Sequence, residues 1–305
     1  MIPMQKRRDA RRVDGFLLYD KPKGLSSNAA LQHVRRLFRA ERAGHTGTLD
    51  PMASGLLVIC FGQSTRFTGE LLGAQKTYLA ELTLGTRTDT GDGEGKVISS
   101  KPLELDEREI EPVLEKFRGD ILQIPPMHSA LKRGGVPLYR LARQGIQVPR
   151  NPRPVTIHSI SLQRVSLPTV QILVTCSKGT YIRVLAEDIG LALGCGAFLS
   201  GLVRLGLGPF QLQEAQSNES LAPLSELERD RCLQPPDRLI SSFPALILEF
   251  SAAARFGHGQ AIVAKAAQSG EHRIYDDAGL FLGTGLADEL GMLHPKRVFP
   301  PGKQF

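Results

Sequence analysis

The chain has 305 residues, of which 41% are hydrophobic and 6% aromatic, without tryptophan. This length suits one large domain and a smaller one, with a core built mainly from aliphatic side chains. The formal net charge of +7 favours a polyanionic partner, a nucleic acid or an anionic membrane surface, and charge alone does not distinguish the two. No apolar stretch approaches the ~20 residues that cross a membrane, so no membrane span is predicted.

The cysteines are far apart in the sequence and form no C-x-x-C pair, which argues against a structural zinc site and against a disulfide framework. They are Cys60, Cys176, Cys195 and Cys232. Small buried thiols in a reducing cytosol are the expected alternative, which predicts a cytoplasmic protein.

Residues 1–12 are rich in lysine and arginine, and no apolar segment follows them. They are therefore not a secretory signal. We interpret them as a basic flexible tail that adds non-specific attraction to phosphates.

The first regular elements are a strand over residues 15–20, a turn over 21–24 and a helix from Ser26 or Ser27 to about Ala40. The helix has an apolar stripe at Leu31, Val34 and Phe38. Four arginines occupy its remaining surface and the residues just beyond, facing either solvent or phosphate. They are Arg35, Arg36, Arg39 and Arg42.

Residues 44–55 (GHTGTLDPMASG) surround Asp50 with three glycines and a proline, and six apolar residues follow. Glycine and proline together indicate a tight loop, and the apolar run predicts a buried strand. Asp50 therefore lies on a stiff loop that enters the core, a suitable position for a catalytic carboxylate. The alternative is that Asp-Pro merely begins a turn.

Alternating apolar residues predict a half-buried strand around residues 78–84, and the polar, glycine-rich residues 85–95 predict a loop that does not fit an EF-hand. Asp106 and Glu109 have capping-box spacing before a helix. Pro112 requires that this helix start later than the cap suggests or kink, and Gly119 is its expected end.

Residues 126–154 are irregular and basic, with a short helix around Leu138–Ala142 that Gly145 closes. This insert is either a flap that closes on a polyanion or a solvated surface.

A strand over residues 170–176 leads into a helix from Ile182 to Gly194. Lys178, Tyr181 and Arg183 therefore lie at a strand-to-helix junction, a frequent location of site residues. Residues 202–210 predict a final core strand.

Residues 211–244 predict a helix followed by a linker. The last sixty residues combine strand-like segments with glycine turns and predict a small β-rich module. We therefore divide the chain into the tail, a main domain over 13–243 and a C-terminal domain over 244–305.

Four segments stand out when taken in order: residues 44–51 (GHTGTLDP), 76–78 (KTY), 178–183 (KGTYIR) and Leu202 with Arg204. Together they resemble the bacterial TruB family of tRNA pseudouridine synthases. Residues 20–27 (DKPKGLSS) and 87–90 (RTDT) also resemble family segments, and the match runs from about Gly15 to Phe210. The closing segments 283–285 (GTG) and 294–298 (HPKRV) are similar to the small PUA-type RNA-binding module that ends many members.

The resemblance implies an α+β pseudouridine-synthase fold, in which a mixed, largely antiparallel sheet is flanked by helices and carries its site in a basic cleft. It implies isomerisation of uridine 55 in the TΨC arm of tRNA: the uracil leaves its ribose, rotates and is rejoined through carbon 5. It also implies no metal or organic cofactor, no required protein partner and a monomer acting on tRNA.

By the same resemblance, Asp50 is the catalytic nucleophile and Arg183 is its ion-pair partner. Whether Asp50 attacks the uracil ring or the ribose stays open. Tyr78 stacks on the uracil and takes part in proton removal, two roles that the sequence does not separate.

Four further residues match substrate-binding positions of the family: His45, Tyr181, Leu202 and Lys21. His45 contacts the flipped-out region and Leu202 supplies an apolar wall.

Three other functions are compatible with parts of this pattern. A non-catalytic RNA-binding protein on this scaffold is disfavoured by the intact Asp50. A hydrolase with a phosphate-binding glycine loop is disfavoured because the loop does not fit G-x-x-x-x-G-K-[ST]. A guide-RNA-dependent relative shares the catalytic motifs, but the insert over 126–154 resembles the stand-alone bacterial enzymes.

Overall fold

Two large β-sheets carry the described part of the chain, which in this computed structural model comprises residues 10–264 and 267–299. In chain order the strands are β1 (Gly15–Lys21), β2 (Ala43–His45), β3 (Ser54–Phe61), β4 (Lys76–Leu84), β5 (Thr86–Thr88), β6 (Val97–Ser100), β7 (Gly119–Gln123), β8 (Lys132–Arg133), β9 (Val136–Pro137), β10 (Arg153–Ser166), β11 (Thr169–Cys176), β12 (Ala197–Leu207), β13 (Phe210–Gln211), β14 (Ala245–Leu248), β15 (Ile262–Val263), β16 (Gly270–Asp276), β17 (Phe281–Ala287) and β18 (Met292–Val298).

The α-helices are α1 (Ser27–Leu37), α2 (Thr68–Leu72), α3 (Ile110–Glu115), α4 (Leu138–Arg143), α5 (Ile182–Ala192), α6 (Asn218–Leu221), α7 (Glu226–Arg231) and α8 (Phe250–Gly257). Short 3₁₀ helices cover Gly62–Phe67, Glu107–Glu109, Leu212–Glu214 and Pro236–Ile240. None of the helices described is both long and apolar enough to cross a membrane.

The nine-stranded central sheet has the order β1-β3-β12-β4-β11-β10-β7, with β2 against β3 and β13 against β12. All its pairs are antiparallel except β3 with β12, which run parallel. The predicted mixed, largely antiparallel sheet is therefore confirmed. Residues of β4 are buried at every second position, as the alternation in the sequence indicated.

Two helices cover different parts of this sheet because each has an apolar stripe. The buried side of α5 packs with side chains of β4, β11 and β12, and α3 joins the same core. The stripe of α1, with Leu31 and Val34, packs on β1 and β3. Ser26 caps α1 by accepting a hydrogen bond from the Ala29 N–H at 3.1 Å, as predicted.

The Asp106–Glu109 capping box is confirmed, and it opens a 3₁₀ turn rather than the α-helix itself. The α-helix begins at Ile110, so Pro112 lies in its first turn, where the missing N–H removes no helical hydrogen bond. The prediction that Gly119 ends this helix was wrong: the helix ends at Glu115 and Gly119 begins β7.

The region predicted as a helix and a linker, residues 211–244, instead forms the short helices α6 and α7 and two 3₁₀ turns. Leu221, Leu239 and Ile240 are buried in the main domain. This packing was not predicted because the apolar residues of the region are irregularly spaced and match neither a helical nor a strand pattern. The predicted loop 85–95 also begins with β5, which pairs with β6.

Residues 1–9 of the predicted tail lie outside the described residues. Arg11, within the tail prediction, donates hydrogen bonds to both carboxylate oxygens of Asp230 at 2.6 and 2.5 Å and is therefore held against the main domain.

The C-terminal strands form a second, five-stranded sheet in the order β14-β16-β17-β18-β15, and α8 packs on it through Phe256. This β-rich module contacts the main domain through aromatic rings. Phe299 stacks on Phe67 with centroids 5.9 Å apart, and Phe281 lies 6.4 Å from the same ring.

Candidate active site

Asp50 lies on the loop between β2 and β3, which is fastened to the start of α1. The buried Ser27 hydroxyl accepts from the Leu49 N–H at 2.7 Å and donates to the Leu49 carbonyl at 2.9 Å. The Gly24 N–H donates to the Pro51 carbonyl at 2.7 Å. The backbone on both sides of Asp50 is therefore fixed before any ligand binds.

Gly55 ends this loop in a conformation that favours glycine, with φ of +100°. A Cβ at this position would lie 2.4 Å from the Arg204 carbonyl oxygen, so a larger residue would force β3 away from β12. The glycine thus allows the parallel pairing of these strands, which sets the Asp50 loop beside Arg204.

Arg183, in the first turn of α5, holds two carboxylates. Its Nε lies 3.0 Å from Asp50 Oδ2, and its Nη1 lies 3.4 Å from Asp92 Oδ2. Its Nη2 donates to the His128 carbonyl in the basic insert at 2.9 Å. The Asp92 side chain is 6% exposed and that of Asp50 is 39% exposed, so only Asp50 is open to a ligand.

Five of the seven residues predicted for the site line one cavity of about 570 Å³. The cavity brings together Asp50, Tyr78, Tyr181, Arg183 and Leu202. Carboxylate, phenol, guanidinium and an aliphatic wall therefore converge on one space of a size typical for a bound small molecule or base.

Tyr78 is almost fully buried on β4, and burial raises the pKa of its hydroxyl. The guanidinium of Arg204 acts in the opposite direction on that pKa. The Tyr78 hydroxyl is consequently protonated at neutral pH and available as a donor, while its ring lines the cavity.

Tyr181 immediately precedes α5, and the buried amide of Gln123 holds its backbone. The Tyr181 N–H donates to Gln123 Oε1 at 3.0 Å, and Gln123 Nε2 donates to the Tyr181 carbonyl at 3.3 Å. Burial raises the pKa of the Tyr181 hydroxyl. Leu202, on β12, presents its side chain to the same cavity.

His45 and Lys21 are not among the residues that line the cavity. Lys21 is fully buried and its ammonium donates to the Pro22 and Leu25 carbonyls at 2.9 and 2.7 Å. Burial lowers its pKa to about 8. His45 is half-buried on β2, and its buried Nδ1 has no hydrogen-bond partner among the described residues. Burial also lowers the pKa of His45.

The basic insert, residues 126–154, forms part of the cavity wall. His128, Ser129, Tyr139 and Arg143 contribute to the lining, and the Arg143 guanidinium lies 5.6 Å from the centroid of the Tyr139 ring. Part of the insert's positive charge therefore faces the pocket.

Sequence reasoning missed the roles of Asp92, Gln123 and Arg204. Asp92 was included in a polar loop, although its carboxylate accepts from Thr90 Oγ1 at 2.6 Å and from the Glu94 N–H at 3.1 Å. The sequence indicates Arg204 only as part of a motif and does not predict its position in the site. Within residues 10–264 and 267–299, no three histidine, cysteine, aspartate or glutamate side chains are grouped as metal ligands.

Family models match the chain in three consecutive parts. Residues 35–182 match the N-terminal domain of the TruB family pseudouridylate synthases. Residues 183–241 match the tRNA pseudouridylate synthase B C-terminal domain, and residues 244–299 match the pseudouridine synthase II TruB C-terminal model.

Curated relatives are similar over almost their whole length. The tRNA pseudouridine synthase B of Methylobacillus flagellatus is 49% identical over 97% of this chain and 98% of the relative. That of Dechloromonas aromatica is 50% identical over 97% and 98%. A chain in the crystal structure of a Cbf5-Nop10-Gar1 complex is 26% identical with a TM-score of 0.71, covering 94% of this chain and 85% of that one. The chain belongs to the TruB family of pseudouridylate synthases.

Proposed function

We propose that this protein is a tRNA pseudouridine synthase that converts uridine 55 of the TΨC arm into pseudouridine, with Asp50 as nucleophile. The observation that carries the assignment is the Asp50 carboxylate, which is exposed to the cavity while Arg183 holds it at 3.0 Å. About half of the residues are identical to those of relatives named for this activity.

The reaction requires a group that holds one fragment while the uracil turns. A carboxylate oxygen serves this purpose by forming a covalent bond, either to the uracil ring or to the ribose, and releasing it when carbon 5 is joined to the ribose. The charge-assisted hydrogen bond from Arg183 orients the Asp50 carboxylate for that attack.

The target uridine must leave its stack to reach Asp50, which costs a few kcal/mol. The Tyr78 ring and the Leu202 side chain line the space that receives the base and offer apolar surface for stacking. Tyr181 lines the same space, whereas His45 on β2 and Lys21 on β1 lie outside its lining.

The surrounding RNA is held by positive charge on the basic insert, whose lysine and arginine residues are Lys132, Arg133, Arg140, Arg143, Arg150 and Arg153. The C-terminal sheet is proposed as a second, PUA-like RNA-binding surface. We further propose that the protein acts as a cytoplasmic monomer that needs no guide RNA or protein partner.

Replacing Asp50 by asparagine tests the assignment. With a TΨC stem-loop carrying tritium at carbon 5 of the target uridine, Asp50→Asn should release tritium at least ~10³-fold more slowly, because removing a nucleophile eliminates the covalent route. RNA affinity should stay within about threefold, since the charge on the insert is unchanged.

The matched control is Asp120→Asn, which changes an exposed carboxylate on β7 that accepts a hydrogen bond from Thr156. It should retain the wild-type rate. Tritium release by Asp50→Asn at the wild-type rate would remove Asp50 as nucleophile. If the wild-type chain by itself cannot modify the stem-loop, a ribonucleoprotein-dependent role replaces the proposal.

A further inference from the structure

The proposed function assigns no role to the charged side chain of Arg204. It lies on β12, at the centre of the sheet, and only 1% of its surface is exposed. Its Nε donates to the Leu56 carbonyl at 2.7 Å and its Nη2 to the Gly47 carbonyl at 3.4 Å. Both acceptors are neutral oxygens that belong to or follow the Asp50 loop.

In the described part of the chain, no carboxylate forms an ion pair with Arg204, whereas Arg183 nearby holds two. Burial lowers the pKa of Arg204, and the influence that opposes this is Tyr78. A buried cation without an anion is costly, so the site favours negative charge on an atom beside the guanidinium.

The strand register indicates that this atom is the hydroxyl oxygen of Tyr78. Arg204 and Tyr78 are directly opposite each other on the antiparallel strands β12 and β4, so their side chains project from the same face of the sheet. The pairing is interrupted just beyond Arg204, where one extra residue precedes Gly206. Such a bulge re-aims the neighbouring side chains.

The other titratable groups around Arg204 are Lys21 on β1, His45 on β2, Asp50 on the loop and Lys76 on β4, while Cys176 on β11, directly opposite Lys76, lies near Tyr78. Burial, and after it the charge of Arg204, lowers the pKa of both lysines to about 8 and also lowers that of His45. Since an arginine does not lose its proton in a protein, Arg204, which lines the cavity, keeps a permanent positive charge there.

We infer that Arg204 is a positioning residue whose guanidinium holds the Tyr78 hydroxyl against the Asp50 loop and stabilises negative charge on the Tyr78 oxygen. The inference rests on the proposed function. During the isomerisation, uracil gains a proton at nitrogen 1 and loses one from carbon 5. Tyr78 donates its hydroxyl proton to nitrogen 1, is a phenolate beside Arg204, and regains a proton from carbon 5 as the new carbon–carbon bond is completed.

The contact is measured without any substrate by labelling the five tyrosines of the chain with 3-fluorotyrosine and following their ionisation by fluorine NMR. The Tyr78 signal is the one missing from Tyr78→Phe. Arg204→Met should raise the ionisation midpoint of Tyr78 by about one pH unit or more, because the charge that favours the phenolate is gone. Arg204→Lys, which retains a charge there, should stay within about half a unit of wild type.

Arg229→Met is the matched control, since Arg229 also binds only carbonyl oxygens in the described contacts, those of Leu37, Leu221 and Ala222, away from the cavity. It should leave the Tyr78 midpoint in place. If Arg204→Met does not fold, Arg204→Gln, which keeps amide donors but not the charge, should give the same upward shift.

Single-turnover rates on the TΨC stem-loop should fall at least ~10-fold in Arg204→Met, with RNA affinity within about threefold, and recover partly in Arg204→Lys. An unchanged Tyr78 midpoint without the Arg204 charge, or an equal shift in Arg204→Lys or Arg229→Met, overturns the inference. If the variants shift the Tyr78 ionisation midpoint as expected but the wild-type chain forms no pseudouridine, the proposed function is contradicted instead.

Discussion

Two aspartates share one arginine in this site, and their burial separates their tasks. Asp92 is enclosed and binds Nη1 of Arg183, so it keeps the guanidinium in place. Asp50 binds Nε of the same group and remains 39% exposed. A single guanidinium thus orients the proposed nucleophile, while the buried carboxylate of Asp92 holds that guanidinium in place.

Lys76 provides a pH-dependent test at the residue scale. Its buried ammonium donates to the Leu72 and Ala74 carbonyls, and burial lowers its pKa to about 8. Between pH 8 and about 10.5 the unfolded chain binds this proton and the folded chain has released it, so stability rises with pH. The free energy of unfolding of the wild type should increase by about 1–2 kcal/mol relative to Lys76→Met between pH 8 and 9.5.

Chemical unfolding of both proteins at each pH measures this difference, in which the other titrating groups cancel. The exposed Lys116 supplies the control, because Lys116→Met should follow the wild type over the same pH range. A constant difference between the wild type and Lys76→Met would mean that Lys76 keeps its proton in the folded state.

At the scale of elements, the position of Arg183 depends on how α5 begins. The helix has no side-chain cap at Tyr181, and the amide of Gln123, at the end of β7, binds the backbone there on both sides. β7 also leads directly into the basic insert. Gln123 therefore connects the insert, the helix start and the arginine that pairs with Asp50.

Gln123→Ala should lower the free energy of unfolding by about 1–3 kcal/mol, because it leaves the N–H of Tyr181 without a partner, whereas the Tyr181 carbonyl still accepts from the Leu185 N–H at 3.1 Å. Single-turnover pseudouridine formation should fall as Arg183 loses its fixed position. Thermal unfolding and the stem-loop assay measure the two effects. Gln163→Ala, an exposed glutamine on β10, should change neither, and an unaffected rate in Gln123→Ala would show that α5 holds its own position.

Elements with a clear local pattern could be predicted, and those without one could not. The apolar stripe of α1 and the alternation of β4 were sufficient because each buries one face. The long strand β10 was missed because bulges interrupt its pairing and its burial follows no regular alternation. The strand β12 begins at Ala197, earlier than predicted, since Ser200 and Gly201 weaken its apolar pattern.

At the scale of the whole molecule, we expect positive charge and domain packing to determine how RNA is held. The net charge of +7 and the arginines of the insert predict that phosphate contacts dominate affinity. The C-terminal sheet is packed on the main domain through Phe67, Phe281 and Phe299, and Arg297 lies 5.0 Å above the Phe67 ring. RNA that contacts both parts would therefore bind two domains that are packed against each other.

Raising the salt concentration from 50 to 200 mM should weaken binding of tRNA at least ~10-fold, because bound phosphates release counterions. Filter binding over a salt series measures the slope. Arg140→Gln, at an exposed position of the insert, should reduce that slope by about one, whereas Arg118→Gln, where the arginine pairs with Glu115, should leave it unchanged. An affinity independent of salt concentration would contradict the prediction that phosphate contacts dominate binding.

The sequence by itself determined the local features of this protein: helix caps, amphipathic helices, alternating strands and the glycine-rich loop that presents Asp50. These depend on residues within one or two turns of each other, so their pattern is visible in the chain. Only the tertiary structure decided that Arg183 is shared by Asp50 and Asp92, and that Arg204 lies opposite Tyr78. Arg204 and its partner Gly47 are 157 residues apart, and strand order and register, rather than local pattern, bring such residues into contact.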